Sequence, residues 1–565
     1  MKGFITAPAF LQVLAGIALL VFSIAVYNPI IHPLNVNWIY HEGDIFQHYV
    51  GWDFFKRESW QFPLGKIENL ATDMGASVVF TDSIPLVALL LKPFNTLLPD
   101  SFQYIGIWTV ATFFLNGYFA TRLLHSIGVD KIFSVLVAMM MCTSTLITAR
   151  GVGMHGHEAL MAHWLIFFAI ELSLSQKEIN RKSCVFWTAL LSLSVLIHFY
   201  LFFMVGVIWF FWFLIYFIYA EESFMEKIKG SFVFFLIPVL VVLFLMILAG
   251  YFIPGRLSAP AGGFGHFSAE LLTFFNPGST AWFFNSDFSS ASTVFPGWFP
   301  PISGQYEGMS YVGLGVMLLW FIAILSSYVF IKQKKLKVTP GVCALAIASI
   351  GLFIYALAGR LSLPGSTTYL YFDMPFSAFK DYLRSSGRMV WPLAYSLIVL
   401  AALTVSSKLS RKVLYPVGLL LISIQVYDLY PWHERLVSLL QSREGYRVNE
   451  SRYHYVNYDD HFLQEADVKR KLIAFPAKDL QALKPFIWLA SSNNMSINVA
   501  YLAGQNSDTA KIATQFYVDA GINNELPQNA IYLITSPDLS SIVCARKGWI
   551  CKQHESAIVA WWKEN

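Results

Sequence analysis

Residues 184–220 read CVFWTALLSLSVLIHFYLFFMVGVIWFFWFLIYFIYA, a block without one Asp, Glu, Lys or Arg. A helix needs about 20 apolar residues to cross the hydrocarbon core of a bilayer. The block therefore predicts two spans folded as a helical hairpin, with His198 near the turn. Outward from it, apolar runs of similar length recur at 9–31, 103–124, 132–149, 159–175, 232–252, 311–331, 341–359, 389–407 and 414–430. Composition agrees. Hydrophobic residues make up 56% of the chain and charged residues 13%, about half the roughly 25% charge of a soluble domain. So few charges cannot clothe a water-facing surface, and part of the solvent must be lipid. The formal net charge of +4 is too small to argue for nucleic acid, and no basic patch interleaves with aromatics as strand binding requires.

Lys and Arg mark the cytoplasmic loops. Lys2, the pair Arg122 and Lys131, the group Lys177, Arg181 and Lys182, the pair Lys227 and Lys229, the run 332–337 and the group Lys408, Arg411 and Lys412 fall in every second connection. That alternation predicts about eleven transmembrane helices, with the N-terminus inside and the C-terminal tail outside. No cleavage site follows the first run, which reads as an uncleaved helix. The apolar stretch 83–99 is short and interrupted by Lys92-Pro93. Counting it as a span would put the basic loops outside, so it reads as a re-entrant or interfacial helix. The expected fold is an all-α polytopic membrane domain, 1–430, with external loops 32–102, 253–310 and 360–388. A small extracytoplasmic α/β domain, 431–565, follows. In it, strands are expected at 472–475, 530–535 and 558–562, and a helix at 508–520 stopped by Gly521. Cys544 and Cys551 would pair in an oxidising compartment, whereas Cys142, Cys184 and Cys343 read as small buried residues.

Polar, irregular sequence collects on one face, as chemistry at the outer membrane surface would need. The first external loop carries seven carboxylates from Glu42 to Asp82, against Lys56, Arg57 and Lys66. A carboxylate at a lipid boundary is partly desolvated, gains proton affinity and suits a general base. Asp44 and His48 are four residues apart and would share a helical face, able to activate a hydroxyl or hold a divalent cation. Asp82 precedes Ser-Ile-Pro and is the second candidate, with a helix cap as its plain structural role. Arg150, His155, His157 and His163 crowd the next external turn, more than capping requires, and suit an anionic headgroup. Lys380, Arg384 and Arg388 recur every four residues, so a helix would line three cations along one face of an external border. Arg can grip a phosphate through two parallel bonds. Tyr306 and Glu307 stand just ahead of a span, in a loop whose aromatics suit sugar stacking.

Five stretches carry a resemblance: GDIFQHYVGWDFF (43–55), TDSIPL (81–86), GHEALMAHW (156–164), YEGMSYVGLG (306–315) and RSSGR (384–388). With the topology, they resemble a bacterial family allied to the GT-C superfamily of integral membrane glycosyltransferases. The resemblance implies transfer of a sugar from a polyprenyl-phosphate carrier to a glycan or lipid acceptor, such as lipopolysaccharide O-antigen, at the periplasmic face of the inner membrane. It implies a first-loop aspartate as base: Asp44, then Asp82, with Asp53 also in the loop. It also implies inversion at the anomeric carbon, and cations that stabilise the departing phosphate: Arg384, Arg388, Lys380 and Arg150. His48, His155, His157, His163, Tyr306 and Glu307 would line the substrate. No metal site is fixed by spacing, and a divalent cation is the one cofactor the loop carboxylates suit. Competing readings are a transporter or flippase of lipid-linked glycans, which would need charges within its spans, and a non-catalytic membrane scaffold. Acyl transfer would need one dominant intramembrane histidine, for which His198 is the nearest candidate.

Overall fold

The computed structural model describes residues 7–40, 43–219, 224–257, 262–278, 290–298, 302–330, 339–365, 368–372, 379–442, 463, 471–477, 480, 482–503, 505, 507–554 and 557–563. The expected basic run 332–337 lies outside them. The chain forms two compact units. One comprises Met1–Pro33, Tyr104–Leu243 and Gly263–Arg447, the other Leu34–Gln103, Phe244–Gly262 and Val448–Asn565.

The first unit is helical. Each of the eleven predicted runs contains a helix. The count of about eleven spans is not reached among them by length and apolarity. Among the described residues six helices are long and apolar enough to cross: Ala9–Ile31, Lys131–Thr148, Glu158–Ser175, Phe199–Tyr219, Gly230–Ala249 and Ser386–Lys408. Arg411–Asp428 and Tyr430–Gln441, bent by 50°, would make a seventh. Ile105–Ser126 is long but buries Thr109, Thr112, Asn116 and Thr121. Asn116 Nδ2 donates to Met161 O at 2.9 Å, and its Oδ1 accepts the N–H of Trp164 at 2.7 Å. Asn116 thus takes up the first N–H of helix Trp164–Ser175. The hairpin is present: Arg181–Ile197 and Phe199–Tyr219 pack together, broken at His198, whose backbone is extended. Helix Ala7–Ile31 lies along Ile105–Ser126. At Gly117 an added Cβ would stand 2.7 Å from Ala15 O, so only a residue without a side chain permits this approach.

One buried carboxylate organises the entry to helix Leu314–Phe330. Asp428 Oδ2 accepts the Leu314 N–H and the Tyr311 hydroxyl, each at 2.8 Å. Its Oδ1 accepts the Ser292 hydroxyl. A carboxylate suits the positive end of a helix and satisfies an orphan N–H there.

The second unit joins the first loop to the tail. Helix Asp44–Arg57 packs against helix Lys484–Ser492, with Tyr49 stacked on Trp488 at 5.2 Å. Thr72 and Asp73 donate their N–H groups to Ile497 O and Asn498 O. The tail sheet has the order Ser496–Ile497, Lys471–Phe475, Ile531–Ile534, Ile558–Trp562, Trp549–Gln553. The first two pairings are parallel, the last two antiparallel. The three predicted strands are its centre. The two edge strands and helices Lys484–Ser492 and Pro537–Cys544 are additions. The predicted stop at Gly521 fails: helix Ser507–Asn523 runs past it, and Asn524, at φ 65°, follows its end. Cys544 and Cys551 are bonded.

Asp428→Ala should lower stability by at least about 3 kcal/mol, because three donors lose a charged acceptor. Asp428→Asn should lose less. Thermal unfolding in detergent measures both, and a wild-type midpoint for Asp428→Ala would remove Asp428 as the organiser of this turn.

Candidate functional site

In the helical unit, three stretches far apart in sequence converge. The 150–157 turn closes on itself through His157 N–H to Arg150 O at 2.7 Å and His155 N–H to Ala149 O at 3.2 Å. Glu307 sits in the 3-10 turn Ser303–Gly308, and Arg388 in Ser386–Val390. Gly387 holds the last two together: its N–H donates to Phe267 O at 2.9 Å, and a Cβ there would lie 2.6 Å from Gly308 Cα.

The result is a buried triad. Arg388 Nε and Nη2 donate to the two Glu307 carboxylate oxygens at 3.0 and 2.8 Å. Arg150 Nη1 donates to Oε2 at 2.7 Å, and Nη2 to the Glu307 carbonyl at 3.1 Å. Arg150 is fully buried, and the other two are 5% exposed. His157 Nε2 lies 3.8 Å from Oε1. Burial alone would raise the Glu307 carboxyl, but Arg388, His157, His155 and Arg150 hold it well below the usual carboxylate range. Burial lowers Arg150 to about 10, so it stays charged at neutral pH. Half-buried His155 stacks on Tyr306 at 5.4 Å, and burial plus Arg150 hold its imidazole well below the ordinary value. The triad therefore carries two cations and one anion in a nearly dry setting. Trp391 lies 5.4 Å from the Arg150 guanidinium and also packs on His163 at 4.3 Å. His163 Nδ1 meets the Tyr395 hydroxyl at 2.5 Å.

The expected helical row of Lys380, Arg384 and Arg388 does not form. Residues 380–385 are turn and irregular chain, and Arg388 falls in the separate 3-10 turn Ser386–Val390. Lys380 is exposed, Arg384 half-buried and 5.8 Å from the Phe267 ring, and Arg388 turned inward. Residues 373–378, which precede the row, lie outside the described residues.

In the second unit, Asp44 opens helix Asp44–Arg57 and is half-buried, while His48 is buried on the same helix. Glu42 lies outside the described residues. Asp53 is fully engaged: Lys56 at 2.8 Å, Arg57 at 3.5 Å, and the Ser491 hydroxyl. Asp82 lies in the TDSIPL turn, where both Asp82 (φ 50°) and Ile84 (φ 47°) are left-handed. That conformation is rare for a β-branched residue, and such strain gathers at functional sites. The turn is latched to the Asp44 helix by Ser83 Oγ to His48 O at 2.6 Å and Gln47 Nε2 to Phe80 O at 3.3 Å. Among the described residues, no three His, Cys, Asp or Glu side chains converge as a metal site would.

Sequence reasoning missed Glu270 and Asp428. Glu270 is buried and accepts from Asn276 Nδ2 at 2.5 Å, and burial raises its carboxyl to about 7. A lone carboxylate beside the Phe-Phe-Asn-Pro-Gly stretch was the available signal for it.

The family described as Domain of unknown function (DUF6311) matches residues 14–430, and the DUF6311 C-terminal domain matches residues 462–560. No curated protein matches the chain. Among solved structures, it is similar to the archaeal oligosaccharyltransferase AglB from Archaeoglobus fulgidus in complex with an inhibitory peptide and a dolichol-phosphate. The identity is 11%, over 93% of this chain and 69% of that one, with a TM-score of 0.45. The apo form of the Archaeoglobus fulgidus oligosaccharyltransferase gives 10% identity over 91% and 70%, with a TM-score of 0.44.

Glu307→Ala should cost about 3–5 kcal/mol, because two buried guanidiniums lose their counter-charge, whereas replacing all three partners by apolar residues should cost far less. Calorimetry in detergent separates the two cases, and equal losses would contradict the triad. Glu270 predicts a pH dependence. Its folded pKa is raised, so between about 4.5 and about 7 the folded state holds a proton that the unfolded chain releases. Stability should fall as pH rises through that window, by on the order of 2–3 kcal/mol. Glu270→Gln should flatten the slope, and an unchanged slope would assign it to other groups.

Proposed function

The chain belongs to the family described as Domain of unknown function (DUF6311), and from that premise we propose that it is a membrane glycosyltransferase. It moves a sugar from a polyprenyl-phosphate carrier to an acceptor such as O-antigen or another surface glycan, at the periplasmic face of a bacterial inner membrane. The observation that carries this reading is the Arg150–Glu307–Arg388 triad: two buried guanidiniums share one carboxylate and leave an excess positive charge. A fixed cationic site in a low-dielectric setting stabilises charge that develops on a leaving group. The five-stretch resemblance supports the class. The Cys544–Cys551 bond supports an oxidising compartment for the tail.

In this mechanism Asp44 removes the proton of the acceptor hydroxyl, with Asp82 as second candidate. The acceptor oxygen attacks the anomeric carbon from the side opposite the carrier and forms the new glycosidic bond. The carbon–oxygen bond to the carrier phosphate breaks with inversion, and the electron pair leaves on the phosphate oxygen. Arg384, half-buried, and Lys380, exposed, reach the phosphate most readily. Arg150 and Arg388 supply the fixed field. His48, His155, His157, His163 and Tyr306 line the substrates, and Glu307 orients the two arginines. A divalent cation, if bound, would screen the phosphate charge.

Asp44→Asn should reduce transfer of labelled sugar from a polyprenyl-phosphate donor by about 10²–10⁴-fold, the worth of a general base, with expression unchanged. Arg384→Ala should also reduce it. Incorporation into membrane glycans by reconstituted protein is the measurement. Full activity of Asp44→Asn would overturn the base assignment. No transfer by folded wild type from any such donor would favour the flippase or scaffold reading.

A further inference from the structure

Helix Pro85–Leu97, an α segment that tightens into a 3-10 turn, is built inside out. Leu90, Phe94 and Leu97 are 62%, 53% and 80% exposed, while Lys92, its one charged residue, is 2% exposed. The Lys92 ammonium lies 3.8 Å from the Phe55 ring centroid and 4.7 Å from that of Trp60, and Nζ donates to Ser59 O at 3.5 Å. Asn95 Nδ2 donates to Lys56 O at 2.7 Å. A helix facing water buries its apolar side chains and turns its charge outward. The reverse arrangement is stable only where the medium outside is itself apolar.

A second, independent observation names that medium. The neighbouring 60–65 segment exposes Phe62, and its Gly65 N–H donates to Leu248 O at 3.0 Å. Leu248 belongs to the last turns of the span Gly230–Ala249. Phe244 and Ile247 in those same turns are exposed, as side chains of a membrane span facing lipid are. The exposed apolar surface of the 60–97 region therefore sits at the end of a span, the depth at which Trp and amphipathic helices settle.

We propose that Pro85–Leu97, together with Trp60 and Phe62, is an interfacial anchor lying in the headgroup–acyl boundary of the bilayer. Its partner is lipid, not a second protein. The anchor begins at Pro85, directly after the strained Asp82–Ile84 turn, so it fixes that turn and the helix latched to it at the membrane surface. The inference stands apart from the proposed reaction, because its test reads depth and not activity.

The test uses the full chain in nanodiscs, with Cys142, Cys184 and Cys343 replaced by Ala. Leu90→Cys and Leu97→Cys each carry an environment-sensitive fluorophore, and Asp508→Cys serves as a water-exposed control. Nitroxides attached at shallow positions on the lipid should quench the labels at 90 and 97 strongly, while aqueous iodide quenches only the control. Iodide reaching 90 and 97 as readily as the control would overturn the proposal. Quenching dominated by nitroxides at the bilayer centre would replace the anchor with a re-entrant helix. Protection from both quenchers would mean that a protein surface covers the helix, and would equally overturn it. Two label positions guard against one variant failing to fold.

Discussion

Two guanidiniums and one carboxylate, almost wholly out of water, set the terms for the loop end of the helical unit. Each of these ions loses several kcal/mol of hydration on burial, and only close, multiply bonded geometry recovers it. Arg388 meets Glu307 with a two-pronged fork, and Arg150 takes one carboxylate oxygen and the Glu307 backbone carbonyl. The loops that carry these residues are rich in glycine and aromatics and poor in regular structure. Hydrophobic contact alone is non-directional and would allow many arrangements of such loops. The charge constraint selects one. Around it the remaining polar groups fall into order: His155 neutral against Tyr306, His157 within reach of the carboxylate, and Gly387 pressed to Gly308.

The apolar runs were legible because lipid leaves a helix no alternative to satisfying its own backbone. The count of about eleven is not reached among the described residues, where six helices, or seven with the bent pair, have the length and apolarity of a span. Ile105–Ser126 is one helix outside that set, and its Asn116 bonds to neighbouring protein. The tail strands 472–475, 530–535 and 558–562 were readable as short apolar runs between turns. The edge strand Ser496–Ile497 is two residues long and exists only through its neighbour.

The candidate site was half legible. Clusters of Arg, His and acidic residues stood out by type. Their partners did not stand out. Arg150 and Glu307 are 157 residues apart and Glu307 and Arg388 are 81, and nothing local encodes such a pairing. The regular spacing of Lys380, Arg384 and Arg388 suggested a shared face, yet periodicity has meaning only where a helix exists. Here the chain is irregular through Ser385, Ser386 opens the 3-10 turn that carries Arg388, and its hydroxyl donates to Ala356 O at 3.3 Å.

The first loop illustrates how structure narrows a choice that sequence leaves open. Three aspartates were candidates for a base. Asp53 accepts from Ser491 and pairs with Lys56 and Arg57, so its charge is already committed to holding the loop helix against the tail. A base must keep a lone pair available to substrate, and a carboxylate so engaged would surrender structure each time it took a proton. The same bond gives the tail a purpose that composition alone did not suggest. Ser491 lies on helix Lys484–Ser492, whose Trp488 also stacks on Tyr49, one turn from Asp53. Tail and loop thus form one folded body, in which Asp53 ties the loop helix to helix Lys484–Ser492, while Asp44 stands at the start of that loop helix and Asp82 in the strained turn.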